Sequence, residues 1–128
     1  MGWLKHERDD AQAATRAPTM AFRPAGIAFN AEFVRLAHAF KSTRATLYFD
    51  GEKQRVGLRF HSKSNDPDAY TLTADGGGAG AAGGRLLNAG RIYERYSWLK
   101  AVLERPLPKR RFPVQRDHDD DLWFVEVP

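Results

Sequence analysis

Basic side chains accumulate in one part of this sequence, between residues 85 and 116. Nine Lys and Arg residues stand there against only Glu94 and Glu104. Arg91 and Arg95 are one helical turn apart, and Trp98 follows three residues later. Cations attract phosphate, and an exposed aromatic ring beside them can stack on nucleobases. The residues predicted to bind nucleic acid are Arg91, Arg95, Trp98, Lys109, Arg110 and Arg111.

The same basic face allows a second interpretation, a protein-interaction module. An inhibitor or adaptor would dock this face on an acidic protein partner, or add an exposed strand edge to the partner's sheet. A merely solvated helix face, with Trp98 packed under another element, would bind neither partner. We predict a small non-enzymatic nucleic-acid-binding or regulatory protein, with protein interaction as the alternative.

Catalytic and metal-binding patterns are sparse. The chain has no Cys, which excludes disulfides, thiolate metal sites and Cys nucleophiles. His61 could form an acid–base pair with Asp66 or Asp68, but no nucleophile motif such as G-x-S-x-G is present. The acidic run from Asp117 to Asp121 lacks the alternating spacing and the glycine of a calcium loop. We expect no enzyme activity and no metal, and we rank a small hydrolase third.

A glycine-rich tract covers residues 76–84 and spells G-x-G-x-x-G at residues 78–83. It follows a predicted strand, and Glu104 lies about 20 residues further on, as in a dinucleotide site. However, the strand from Tyr70 to Thr73 alternates apolar and polar residues, whereas a central parallel strand would be continuously hydrophobic. The tract is therefore predicted to be a flexible loop, and no cofactor is expected.

Two amphipathic helices are predicted to position these side chains. The first begins after the N-cap Asn30, and the second runs from Asn88 to the residues before Pro106. Apolar residues recur at helical spacing along both. They are Phe33, Leu36, Ala37 and Phe40 in the first helix, and Ile92, Tyr96, Leu99 and Leu103 in the second. The second stripe leaves Arg91 and Arg95 on the solvent face.

Turn signals between alternating runs predict hairpins. Pro24-Ala25-Gly26 joins the first pair of strands, Asp50-Gly51 joins the second, and the acidic run joins the last. In the second hairpin, Tyr48, Arg55 and Arg59 point away from the core. We predict an α+β domain in which about six antiparallel strands pack on two helices. Because an apolar residue and Asn-Ala open both helices, a strand-helix-hairpin repeat remains an open option.

Length and composition indicate one domain. The chain has 128 residues, of which 42% are hydrophobic, and a net charge of +4, which excludes a two-domain enzyme. Residues 1–17 are predicted to be a flexible or loosely helical arm and residues 18–128 a single domain. No run reaches the roughly 18 apolar residues of a membrane span, and no signal peptide is recognised. We predict a cytoplasmic protein without membrane contact, and a homodimer remains an open option.

Overall fold

Nine short strands make up most of the molecule. The structure is a computed structural model that describes Trp3 and residues 17–62, 66–75 and 83–128. The strands are β1 Thr19–Arg23, β2 Gly26–Phe29, β3 Arg44–Asp50, β4 Arg55–His61, β5 Tyr70–Ala74, β6 Arg85–Asn88, β7 Arg111–Pro113, β8 Gln115–Asp117 and β9 Leu122–Glu126. The helices are α1 Ala31–Leu36, α2 Ile92–Arg95 and α3 Ser97–Lys100, and two 3₁₀ turns cover Ala101–Glu104 and Leu107–Arg110. Most of the predicted N-terminal arm, and residues 76–82 of the glycine tract, lie outside the described residues.

All strands belong to one antiparallel sheet with the order β7-β1-β2-β6-β5-β3-β4-β9-β8. The two outermost strands, β7 and β8, are separated along the chain by Val114 alone. The Val114 N–H donates to the Pro18 carbonyl at 3.1 Å. One extended segment therefore pairs with β1 through its first half and with β9 through its second half, which curls the sheet into a nearly closed barrel.

The predicted fold class, an α+β packing of a sheet on two helices, is wrong. Strands account for 42% of the structure and helices for 21%. Phe33 of α1 packs against Phe29, Phe60 and Trp123 of the barrel strands. Tyr96, between α2 and α3, stacks on Phe49 of β3, with ring centroids 4.1 Å apart. Alternation of apolar and polar residues predicts only that one face of a strand is buried. The interior of a barrel can bury that face as well as a layer of helices can, so the pattern did not distinguish the two folds.

The predicted second helix is broken into pieces. Asn88 belongs to β6, where its side-chain amide donates to the Thr71 carbonyl at 3.0 Å and to Thr73 Oγ1 at 3.2 Å. The backbone at Tyr96 is extended (φ −116°, ψ 98°), which separates α2 from α3. The predicted burial of Leu99 is nevertheless confirmed, since it is 0% exposed.

The shared Asn-Ala dipeptide, which left a strand-helix-hairpin repeat open, precedes a helix directly only at Asn30. Asn30 caps α1, because its Oδ1 accepts the Phe33 N–H at 3.0 Å. Asn88 is the last residue of β6, and the N-cap of the next helix is Arg91. The shared Asn-Ala dipeptide therefore has a different structural role at each position.

The three predicted hairpins are confirmed by their registers, β1 with β2, β3 with β4 and β8 with β9. The barrel interior is filled by fully buried side chains that include Met20, Phe22, Ile27, Phe29, Leu58, Leu87 and Val125. Gly26 allows β2 to approach β6, since a Cβ there would lie 1.8 Å from the Leu87 carbonyl oxygen. Its φ of +150° is a second reason that glycine is required at this position.

Two successive parts of the chain occupy corresponding places in the barrel. The segment β1-β2-α1-β3-β4 corresponds to β5-β6-α2 followed by β7, β8 and β9, and β2 pairs with β6 as β4 pairs with β9. The turns at residues 51–54 and 118–121 match in detail. Asp50 Oδ1 accepts the Lys53 N–H at 3.2 Å, and Asp117 Oδ1 accepts the Asp120 N–H at 3.1 Å. The seams β3–β5 and β7–β1 are therefore equivalent positions.

Candidate functional site

The barrel wall opens between β3 and β5. These strands pair only at Arg44 with Thr71 and at Ala45 with Tyr70. Among the described residues, positions 46–50 of β3 therefore have no strand partner on this side. The resulting cleft has a volume of about 820 Å³, and its walls come from β3, residues 66–70 and the segment from Arg91 to Tyr96.

Turn chemistry explains why β5 does not continue along β3. Asp66 Oδ1 accepts the Asp68 N–H at 2.9 Å, which bends the chain into an Asx turn. Pro67, between them, has no N–H to donate to a neighbouring strand. Arg44 Nη2 donates to the Ala69 carbonyl at 2.6 Å and holds this turn against the barrel. Residues 66–69 therefore form a wall of the cleft instead of a strand.

A polar cluster joins this wall to β3. The buried Thr46 hydroxyl donates to Asp66 Oδ2 at 2.6 Å and lies 2.9 Å from His61 Nε2. The Thr46 hydroxyl and the Asp68 N–H lower the pKa of Asp66, and the charges of His61 and Arg44 act in the same direction. A lowered pKa favours the ionised carboxylate, which accepts the hydrogen bond from the Thr46 hydroxyl. His61 and Asp66 thus meet through Thr46, and the cluster positions the wall of the cleft.

The opposite wall carries Arg91 and Arg95, which are both exposed. Neither guanidinium forms a hydrogen bond or ion pair with the part of the chain that the structure describes. Arg95 lies over the Tyr96 ring, 5.7 Å from its centroid. Tyr48 and Tyr70 also line the cleft. Two unpaired cations and three phenol rings therefore surround one opening.

The other predicted nucleic-acid-binding residues lie outside the cleft lining. Trp98 is half-buried and packs edge-on against Tyr96, with centroids 6.3 Å apart. Arg110 Nε donates to the Arg105 carbonyl at 2.8 Å. Lys109 is exposed on the second 3₁₀ turn. Arg111 lies on the outer face of β7 and lines a separate hollow with Arg23 and Asp75. The structure thus brings Arg91 and Arg95 together and leaves Lys109, Arg110 and Arg111 elsewhere.

A second hollow, the outer groove, lies on the outer face of β3, β4 and β9. Gly57 pairs with Tyr48 on one side and with Phe124 on the other, and the groove has a volume of about 210 Å³. Arg59 covers the Tyr48 ring at 5.4 Å, and Arg55 covers the Phe124 ring at 4.9 Å. The sequence analysis predicted that Tyr48, Arg55 and Arg59 lie on this face, but it did not predict that Gly57 and Phe124 line a groove there. A glycine inside an alternating strand could have indicated such a groove.

The described residues contain no group of three or more His, Asp or Glu residues arranged to hold a metal ion. None of their helices is long and apolar enough to cross a membrane. No family model, curated protein or solved structure matches this chain.

Proposed function

We propose that this protein is a non-enzymatic nucleic-acid-binding or regulatory protein that holds a single strand in the cleft. The observation that carries this proposal is the pair of exposed arginines, Arg91 and Arg95, without ion pairs among the described residues. Guanidinium groups bind phosphate oxygens in a bidentate manner, and unpaired ones do so without first losing a protein carboxylate. The net charge of +4 adds a weak general attraction to polyanions.

The aromatic lining favours a single strand over a duplex. Tyr48, Tyr70 and Tyr96 line the same cleft as the two arginines. Base–aromatic stacking contributes about 1–3 kcal/mol per base and requires a base with an open face. Bases inside a duplex are stacked on each other, so their faces are not available to these rings. We therefore expect a single strand to bind more tightly than a duplex of the same sequence.

Fluorescence anisotropy over a range of salt concentrations tests this proposal. The probes are a labelled single strand of about 20 nucleotides, as DNA and as RNA, and the matching duplex. Each phosphate contact contributes about 0.7 to the slope of log K against log salt for a single strand, so Arg91→Ala/Arg95→Ala should reduce the slope by about 1.4. Arg35→Ala/Lys41→Ala removes the same charge outside the cleft and should leave the slope unchanged.

The other predicted contacts are tested in the same assay. Lys109→Ala/Arg111→Ala should reduce the slope of log K against log salt only if the bound strand extends beyond the cleft to these two residues. If neither strand nor duplex binds at about 50 mM salt, the nucleic-acid proposal is rejected.

Protein binding by strand addition is the second candidate, and the open edge of β3 favours it. Residues 46–50 have no strand partner on the cleft side in the described part of the chain. An extended acidic peptide could pair with this edge while its carboxylates contact Arg91 and Arg95. Such binding should slow amide hydrogen exchange at Leu47 and Phe49. Exchange that is unchanged by a saturating acidic peptide would reject this candidate.

A further inference from the structure

We propose that the outer groove over Gly57 is a nucleobase pocket, and that it selects a base that carries an amino group. The inference rests on the proposed function, because it extends the path of the same single strand. Tyr48 and Phe49 line both the cleft and the outer groove. A strand whose phosphates contact Arg91 and Arg95 can therefore place a neighbouring base on the adjacent barrel face.

Gly57 makes room between two aromatic rings. It lies opposite Tyr48 on β3 and opposite Phe124 on β9, so the position between the two rings carries no side chain of its own and is bordered by Leu122. Packing does not require glycine here, since the nearest atom to an added Cβ is Leu122 Cδ1 at 3.4 Å. Its φ does not lie in the left-handed region either, unlike that of Gly26. A strand glycine that neither sterics nor backbone requires is typical of a place where a ligand approaches closely.

Two arginines hold the rings in place. Arg59 lies over Tyr48, donates to its hydroxyl at 3.3 Å and donates to the Asp120 carbonyl at 2.7 Å. Arg55 lies over Phe124 and pairs with Glu126 at 2.7 Å. Both guanidinium groups are therefore already engaged with protein groups, and both rings are fixed before a ligand arrives. A base that stacks on a fixed ring loses less free energy to ordering than one that stacks on a mobile ring.

Charge distinguishes the two hollows. The outer groove is lined by three carboxylates, those of Asp50, Asp117 and Asp120, and by one cation, Arg55, which pairs with Glu126. The cleft is lined by the cations Arg91 and Arg95 and by the carboxylates Asp66 and Asp68, so the outer groove is the more negative of the two hollows. The Oδ1 atoms of Asp50 and Asp117 accept backbone N–H groups of their own turns, which fixes both carboxylates. Fixed carboxylates repel phosphate and accept hydrogen bonds from amino groups. The bound strand is therefore oriented with a base at the outer groove and its phosphates at the cleft.

Cytosine and uracil oligomers provide the direct test. Oligodeoxycytidylate and oligodeoxyuridylate of about eight nucleotides have the same charge and ring size, but only cytosine carries an amino group at C4. We expect the wild-type protein to bind the cytidylate at least about fivefold more tightly, and the matching ribo-oligomers show whether RNA or DNA is preferred. Tyr48→Ala should weaken cytidylate binding roughly 5- to 150-fold, with an unchanged salt slope.

A second variant and a control make the result decisive. Gly57→Val fills the outer groove and should abolish the preference for cytidylate, with its folding checked by circular dichroism. Leu107→Ala removes a side chain that is 71% exposed and lies outside both hollows, and it should change nothing. Equal affinity for the two oligomers, or a Tyr48→Ala variant that binds like the wild type, would overturn the nucleobase pocket. If the effect of Arg91→Ala/Arg95→Ala persists in that case, the proposed function stands, whereas no binding of any oligomer overturns both.

Discussion

Tyr93 connects the segment that carries the cleft arginines to the barrel, and its removal tests how that segment is held. The Tyr93 hydroxyl donates to the Gly26 carbonyl at 2.7 Å in a buried site. Burial raises the pKa of Tyr93 well above its ordinary value, so the phenol stays a protonated donor throughout the usual pH range. Tyr93→Phe keeps the ring and removes only this donor.

The expected loss follows from the buried carbonyl that remains. Leaving the Gly26 carbonyl without this donor costs about 1–3 kcal/mol. At roughly 3–5 °C per kcal/mol for a domain of this size, Tm should fall by about 3–15 °C. Urea denaturation gives the free energy of unfolding, with Tyr96→Phe as the control, because the Tyr96 hydroxyl has no hydrogen bond to the described residues. If Tyr93→Phe unfolds at the wild-type urea concentration, the proposed attachment of α2 to β2 is wrong.

Three further results are expected. Leu99→Ala should lower the free energy of unfolding by about 2–5 kcal/mol in urea denaturation, because Leu99 is fully buried. Gly26→Ala should prevent folding, as judged by circular dichroism, since its Cβ would overlap the Leu87 carbonyl oxygen. Asp66 should titrate below 3.8 by NMR, and Thr46→Val should raise its pKa towards that value. Because the pKa of Asp66 is lower in the folded than in the unfolded state, the ionised Asp66 carboxylate stabilises the fold, fully so above pH 3.8. This stabilisation is lost as the pH falls through the folded-state pKa.

The hairpins could be predicted because their determinants are local. Pro24-Ala25-Gly26 and Asp50-Gly51 specify tight turns, and alternation on either side specifies which side chains point inward. The same alternation predicted Tyr48 and Arg59 on the outer face, and in the structure the Arg59 guanidinium lies over the Tyr48 ring. Local turns and alternation were therefore sufficient to predict that Tyr48 and Arg59, on one side of the outer groove, lie on the outer face.

Barrel closure could not be predicted because its determinants are distant in the sequence. Residues 111–117 pair with β1 through one half and with β9 through the other, and no local pattern reports a change of partner. Periodicity was misleading at Ile92, Tyr96 and Leu99, since apolar residues recur at helical spacing although the chain is extended at Tyr96. Arg91 and Arg95 were predicted to be exposed, and they are. The cleft beside them depends on the short pairing of β5 with β3, which the predicted strand from Tyr70 to Thr73 did not reveal.

The cleft lies where the correspondence between the two parts of the barrel fails. At the seam between β1 and β7, the chain continues through Val114 into β8, so one segment closes the wall. At the equivalent seam, the turn at Asp66 and Pro67 ends the pairing with β5, and β3 continues to Asp50 without a partner on the cleft side among the described residues. The segment carrying Arg91 and Arg95 lies beside this gap. Charged side chains near an exposed strand edge oppose pairing with another chain. The two arginines therefore oppose pairing of this edge with a strand that lacks acidic side chains, and they leave the seam to the anionic ligand that we propose.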